Sequence, residues 1–214
     1  MKILCVSDHI DPLVYSPSIK QRFADVQLVL SAGDLPLSYY DFIMSTLNKP
    51  LLFVFGNHNL RHMRLYTGRA DAFGRVRLEG QGIELYRPTG ASYIGSRARR
   101  EKSLLMAGLG GSLWYNGGEN QYKEYQVAFR MLKMLPRLLY NRLRFGRYLD
   151  ILLTHAPPFG IHDQEDPCHR GFKILLWFMR KFKPAYLVHG HTHLYSASAV
   201  RISQYDQTTV VNAY

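Results

Sequence analysis

Five short clusters of histidine, aspartate and asparagine are spread along the chain, and most of them close an apolar run. They read VSDHID at 6–11, AGD at 32–34, FGNH at 55–58, LLTHAPP at 152–158 and HGHTH at 189–193. The runs before them are short and rich in β-branched or aromatic residues, as in strands buried on both faces. A residue just beyond the carboxyl end of a parallel strand projects into the crevice above its sheet. The chain must therefore fold so that several strand ends lie side by side. Asp8, Asp34, Asn57, His155 and the His191/His193 pair can then converge despite their separation in sequence. One such cluster would be an ordinary turn. Five in this order point to a metal-dependent hydrolase.

The rest of the chain fits that frame. Residues 2–6, 27–30 and 51–55 read as strands. Between them, 17–24 and 38–47 read as helices of two to three turns, with Ser38 as an N-cap. This rhythm implies parallel pairing with right-handed crossovers. Residues 62–80 are polar and arginine-rich, and predict a loop with a turn of helix. Residues 83–86, 93–95 and 104–109 predict antiparallel strands, with Pro88 and Gly90 marking a turn between the first two. The glycines from Gly108 to Gly118 lack the lysine of a phosphate-binding P-loop. Val127, Met131, Leu135 and Leu138 recur at near-helical spacing and predict a helix over 121–140, which Pro136 kinks or splits. A strand at 149–154, a helix at 172–182 before Pro184 and a strand at 185–189 follow. An antiparallel pair, 196–202 and 208–212, closes the chain.

The 214 residues suffice for one well-buried domain, 1–214. No apolar run reaches the roughly 18 residues of a membrane-spanning helix. The N-terminus, MKILCVSD, turns polar too soon for a secretory signal. Cys5 and Cys168 are the only cysteines and suggest no disulfide framework; Cys5, in an apolar run, reads as a reduced core thiol. A cytoplasmic protein is expected. The formal charge of +11 comes largely from arginine, concentrated at Arg97, Arg99 and Arg100 with Lys102, and over residues 130–147. Such a surface attracts phosphoesters, nucleic acid or anionic lipid. Arginines of the second stretch alternate with Leu, Met, Tyr and Phe. A basic amphipathic helix lying on a membrane, giving peripheral attachment, and a packed helix with arginines facing water are both open.

The clusters also suggest roles. Asp34, in a tight GD turn, is the natural carboxylate to bridge two ions roughly 3.5–4 Å apart. Asn57 offers a neutral oxygen and adds no negative charge to a site that must accept an anion. In a turn, His191 and His193 can diverge towards two adjacent ions, and Gly190 leaves room for their approach. His58, next to Asn57, would point elsewhere and is a candidate to touch substrate. His189 reads as a structural strand end. His62, His162, Asp163, Asp166 and His169 either rim the cleft or are polar loop residues.

With Asp8, Gly33-Asp34, Gly56-Asn57-His58, His155 and Gly190-His191-Thr192-His193, the chain resembles the calcineurin-like metallophosphoesterase superfamily. Residues 108–112, 154–160 and 169–171 are similar to a small bacterial-type branch. The resemblance implies an α/β fold, a four-layer αββα sandwich of two mixed β-sheets flanked by helices. It implies two divalent transition-metal ions (manganese, iron or zinc), the first on Asp8, Asp34 and His193, the second on Asp34, Asn57, His155 and His191. It further implies hydrolysis of a phosphomonoester or phosphodiester by a hydroxide shared between the ions, with His58 binding a phosphoryl oxygen or protonating the leaving group.

Two departures stand out. The family's first histidine belongs at position 10, where the chain has Ile10, so His9, Asp11 or water must take its place. The text after Asp34, LPLSYYD, lacks the second aspartate and the arginine of the protein serine/threonine phosphatases, which argues against that branch. The alternative readings are a catalytically weak or inactive scaffold for protein or nucleic acid, as in the retromer-type relatives, and plain nucleic-acid binding through the basic patches.

Overall fold

The computed structural model describes residues 1–68, 75–77, 84–86, 89–196 and 198–214. In chain order the elements are β1 (Lys2–Val6), α1 (Ile19–Arg22), β2 (Val26–Ser31), α2 (Leu37–Leu47), β3 (Leu51–Phe53), a 3-10 turn (Leu60–His62), α3 (Met63–Thr67), β4 (Arg75–Arg77), β5 (Glu84–Tyr86), β6 (Ser92–Tyr93), β7 (Arg97–Glu101), β8 (Leu104–Leu109), β9 (Ser112–Leu113) and β10 (Gln121–Tyr122). They continue with α4 (Glu124–Leu132), α5 (Leu135–Phe145), β11 (Ile151–Thr154), α6 (Lys173–Phe182), β12 (Tyr186–His189), β13 (Ile202–Tyr205) and β14 (Thr208–Asn212).

Alternation along the strands sorts the core into three apolar layers. In β2, Val29 packs with Leu37, Tyr40 and Ile43 of α2, whereas Leu28 and Leu30 face the other way. Those two meet Met106, Ile151, Leu153 and Val188 of the second sheet. On the far side, Leu105, Leu152, Leu187 and Val210 pack against Val127, Leu138, Phe178 and Met179 of the helices. A residue period of two sends side chains to opposite faces, so each strand serves two layers at once. Helix, sheet, sheet and helix thus stack in that order, the αββα arrangement expected.

The first sheet has the order β1-β2-β3-β6 and is parallel throughout. The second, β13-β14-β12-β11-β8-β7, is mixed: the β14-β12-β11-β8 core is parallel and both edge strands run antiparallel. The parallel strands bring the loops after β1, β2 and β3, and those after β8, β11 and β12, to the carboxyl edges of their sheets.

Several local expectations need correction. The helix expected at 17–24 is only Ile19–Arg22. α2 starts at Leu37 after an extended Pro36, so Ser38 lies inside the first turn and does not cap it. β6 is parallel to β3, not antiparallel to its neighbours in sequence, and β5 pairs instead with β4. Ile83 and Pro88 lie outside the described residues. β7, a run of charge (RARRE), was not anticipated as a strand; it forms the sheet edge, where charged side chains blunt edge-to-edge association. The helix expected over 121–140 is two, α4 and α5, and Pro136 sits at the second position of α5, where its missing N–H forfeits no intrahelical bond. The closing hairpin is displaced: β13 begins at Ile202, where the expected strand ended. Among the described residues no helix is long and apolar enough to cross a membrane.

Candidate metal centre

Each residue named from the five clusters stands shortly after a parallel strand. Asp8 follows β1, Asp34 follows β2 and Asn57 follows β3; His155 follows β11, and His191 and His193 follow β12. Asp8, Asp34 and His191 all adopt left-handed backbone conformations, with φ of 60°, 56° and 67°. Such conformations are uncommon for residues with a Cβ and tend to cluster at functional sites.

The two sheets meet at these residues. Asp34 Oδ2 lies 3.2 Å from His155 Nε2, and the same nitrogen lies 3.0 Å from Asn57 Oδ1. The donor atoms of Asp34, His155 and His191 all fall within 4.8 Å of one another. On the other side, the backbone N–H of His191 donates to Asp8 Oδ2 at 2.8 Å, and His193 Nε2 lies 3.7 Å from Asp8 Oδ1. Close backbone approach makes this convergence possible. A Cβ at Gly56 would lie 2.1 Å from Asp34 Oδ1, and one at Gly190 would lie 1.9 Å from Ser7 Oγ and 2.3 Å from Asp8 Oδ2.

Backbone carbonyls fix the imidazoles. His155 Nδ1 donates to the Ala32 carbonyl at 2.7 Å, which leaves Nε2 facing Asp34 and Asn57. His191 Nε2 donates to the Cys168 carbonyl at 2.6 Å, which leaves Nδ1 free of that bond. Asn57 is oriented by its amide, which donates to Tyr115 Oη at 3.3 Å and to His58 Nε2 at 3.1 Å. With His155 neutral, three acceptor atoms of Asp34, Asn57 and His155 therefore face one another. Acceptors pointed together in a buried site need a proton or a metal ion between them. In the metal-free protein a proton on His155 meets that need. Burial alone would lower the His155 pKa, but the Asp34 carboxylate overcomes this and raises it to about 9. Burial would raise the Asp34 carboxyl; His155, with the His58 N–H donating at 2.8 Å, instead brings it down to about 2. Burial, reinforced by the charge on His155, pushes His191 down to about 3, so it is neutral and ready to ligate. Carboxylate, amide oxygen and neutral imidazole form a donor set suited to divalent transition metals, so the residues fit the pair of ions that the motifs imply.

His58 is exposed beside Asn57, and its side chain is not drawn into the Asp34–His155 cluster. The two candidates for the place of Ile10 have other partners. Asp11 Oδ1 accepts the backbone N–H groups of Leu13 at 2.6 Å and Val14 at 3.4 Å, and the His9 ring lies 6.3 Å from that of Tyr214. Ile10 itself is 40% exposed.

The weaker sequence candidates separate clearly. Asp163 is structural: its two oxygens accept the N–H groups of Gly160 and Gly171 and pin the loop between β11 and α6. Buried His189 donates from Nδ1 to the Gly190 carbonyl and receives His162 Nδ1 at 3.0 Å, so both brace the loop that carries His191. Asp166, Cys168 and His169 form a self-satisfied group at the rim, where Asp166 Oδ1 accepts the N–H groups of Cys168 and His169. Sequence reasoning missed Tyr115, Asn59 and Asn120. Asn59 donates to the Asp34 carbonyl at 3.1 Å, and Asn120 donates to the Phe55 and Gly56 carbonyls of the Asn57 loop. None lies in a metal-type motif. Asn59 alone adjoins one, and its left-handed φ of 54° is a conformation asparagine favours.

Solved structures resemble this fold. The protein TT1561 of Thermus thermophilus is similar in structure, with a TM-score of 0.61 at 13% identity over 98% of this chain and 87% of its own. Another solved structure overlays with a TM-score of 0.61 at 14% identity, covering 98% of this chain and 89% of its own. Phosphopantetheinyl hydrolase from Mycobacterium tuberculosis aligns with a TM-score of 0.46 at 13% identity, over 99% and 88% of the two chains. No protein of curated function shows significant sequence similarity. The model of the calcineurin-like phosphoesterases matches residues 1–195, and the chain belongs to that family.

Proposed function

We propose that the protein hydrolyses a phosphoester with two divalent metal ions. Asp8, Asp34 and His193 would hold the first, and Asp34, Asn57, His155 and His191 the second. One observation carries this reading: the Asp34, Asn57 and His155 side chains converge from both sheets, and with His155 neutral their acceptor atoms offer a divalent ion a shared place. When bound, such a pair supplies Lewis-acid charge and lowers the pKa of water towards neutrality.

The remaining chemistry belongs to the chain. Asn57 ligates without charge and leaves the site open to an anion. The Ala32 and Cys168 carbonyls hold His155 and His191 in the required tautomers, a supporting role that raises ligand basicity. His58 Nε2 accepts from the Asn57 amide, which leaves the ring proton of the neutral form on Nδ1. That proton is available to a phosphoryl oxygen or a departing alkoxide, a role typically worth roughly 10²–10⁴-fold. Asp11 Oδ1 is engaged by the Leu13 and Val14 N–H groups, which favours water at the place of Ile10; three protein ligands then hold the first ion, enough for a catalytic site with open positions. That ion should exchange more readily than the second. The three apolar layers support reading 1–214 as one domain.

The scaffold reading draws on Ile10 alone, and the exposed proton donor His58 has no purpose in it. The experiment is hydrolysis of bis-p-nitrophenyl phosphate and p-nitrophenyl phosphate by metal-loaded protein. Release that requires manganese, iron or zinc and disappears in Asp34→Ala supports the enzyme and shows which ester is preferred. Metal-replete protein inert towards both, and towards a wider phosphoester panel, would establish a scaffold.

A further inference from the structure

The α4–α5 segment carries two apolar stripes, and only one of them is covered. Val127, Met131, Met134 and Leu138 are buried against the second sheet. Tyr125, Phe129, Leu132, Pro136, Leu139 and Leu143 recur at the same spacing of three and four, and all are exposed. Lys133 and Met134 keep right-handed helical backbone between the two helices, so the phase carries through. At roughly 100° per residue the second set stays within about 40° of one direction, on the side opposite the buried set. Leu143 is 88% exposed, Tyr125 68% and Phe129 60%, so this is a continuous outward face and not scattered surface residues.

Its charge is of one sign. No acidic residue occurs between Glu124 and Asp150. Exposed Lys133, Arg137 and Arg144 run along one flank of the stripe and Arg142 along the other. Among the described residues none of these four pairs with a carboxylate. Arg130 differs: it turns inward, donating to Ser96 Oγ at 2.7 Å and to the Gly110 carbonyl at 2.8 Å, and fastens α4 to the glycine loop.

We propose that this face docks on an anionic lipid surface, with Phe129, Leu132, Leu139 and Leu143 entering the acyl boundary and the cations meeting headgroup phosphates. Apolar residues with flanking cations on an exposed helix face are the signature of interfacial binding. Charge complementarity selects this occupant. In a symmetric dimer the same basic flanks would oppose one another. A nucleic acid would use the cations but leave the central stripe without a partner.

The test is co-sedimentation of the full chain with phosphatidylcholine vesicles, with and without phosphatidylglycerol, at low and high salt. We expect binding that requires phosphatidylglycerol and weakens with salt. Phe129→Glu/Leu143→Glu should reduce the partition coefficient by about tenfold or more with an unchanged circular dichroism spectrum; the sites are exposed, so folding is unaffected. Asp34→Asn should bind vesicles like the parent, which separates this surface from the hydrolytic reading. Folded protein that ignores anionic vesicles overturns the proposal. So does retention of nucleic acid in place of vesicles that is sensitive to Arg137→Gln/Arg144→Gln but indifferent to Phe129→Glu/Leu143→Glu. A concentration-dependent dimer that Leu143→Glu dissolves, without vesicle binding, also overturns it.

Discussion

Asp34 and His155, carried by loops from two different sheets, meet at 3.2 Å between Oδ2 and Nε2. His155 is fully buried. Its charge in the metal-free state depends on Asp34, and Asp34 in turn is held ionised by His155 and the His58 amide. Replacing Asp34 with alanine should therefore abolish metal uptake and hydrolysis together. Inductively coupled plasma mass spectrometry and the phosphoester assay measure the two. Retention of both ions by the variant would contradict the bridging role.

His58 lies beside the candidate ligands, with its side chain on Asn57. His58→Ala is expected to lower turnover by about 10²-fold or more while the metal content stays at the parent value. If the variant loses metal in proportion to activity, His58 is a ligand support and not a proton donor.

Chelated protein should show a stability maximum near pH 6.5. His155 is raised to about 9 when folded, so its contribution is complete below the unfolded value of 6.5 and is lost as pH rises towards 9. Burial holds His189 and His191 down near 3, so their neutral forms cost stability as pH falls below 6.5. Thermal melts of the metal-free protein across this range test the sign. Asp34→Asn should remove the alkaline slope, and a slope that survives would assign it to another group.

The glycines divide by environment. Gly190→Ala would press a Cβ to within 1.9 Å of Ser7 Oγ, whereas a Cβ at Gly146 meets nothing within 4 Å and suffers only from its φ of +74°. Gly190→Ala should cost about 1–3 kcal/mol and impair metal binding. Gly146→Ala should cost roughly 1–2 kcal/mol with metal affinity unchanged. Chemical denaturation with metal titration compares them.

Burial pushes the Cys5 thiol up to about 12, so almost none is thiolate at pH 8. Alkylation of native protein at that pH should modify Cys168, at the rim, well before Cys5; both should react in denaturant. Mass spectrometry of the labelled peptides reads the order.

The sheets and the candidate ligands were legible for one reason. Candidate ligands such as Asp8, Asn57 and His155 follow hydrophobic runs whose composition announces buried parallel strands. The supports of the site were not legible. The carbonyls of Ala32 and Cys168 fix two imidazoles, but a backbone carbonyl carries no residue identity. β7 escaped because an edge strand of alternating arginines has no apolar face to betray it. The outward stripe of α4–α5 shares the period of the buried one, so only burial separates Leu138 from Leu139. Ser38 shows the converse: a favourable capping residue overruled by the extended Pro36 before Leu37.

An anomalous-scattering map of crystals grown with manganese tests the account most directly. It predicts two peaks bridged by Asp34, one beside Asp8 and His193 and the other beside Asn57, His155 and His191. A map with no ion at Asp34, in protein that is otherwise folded as described, would contradict it.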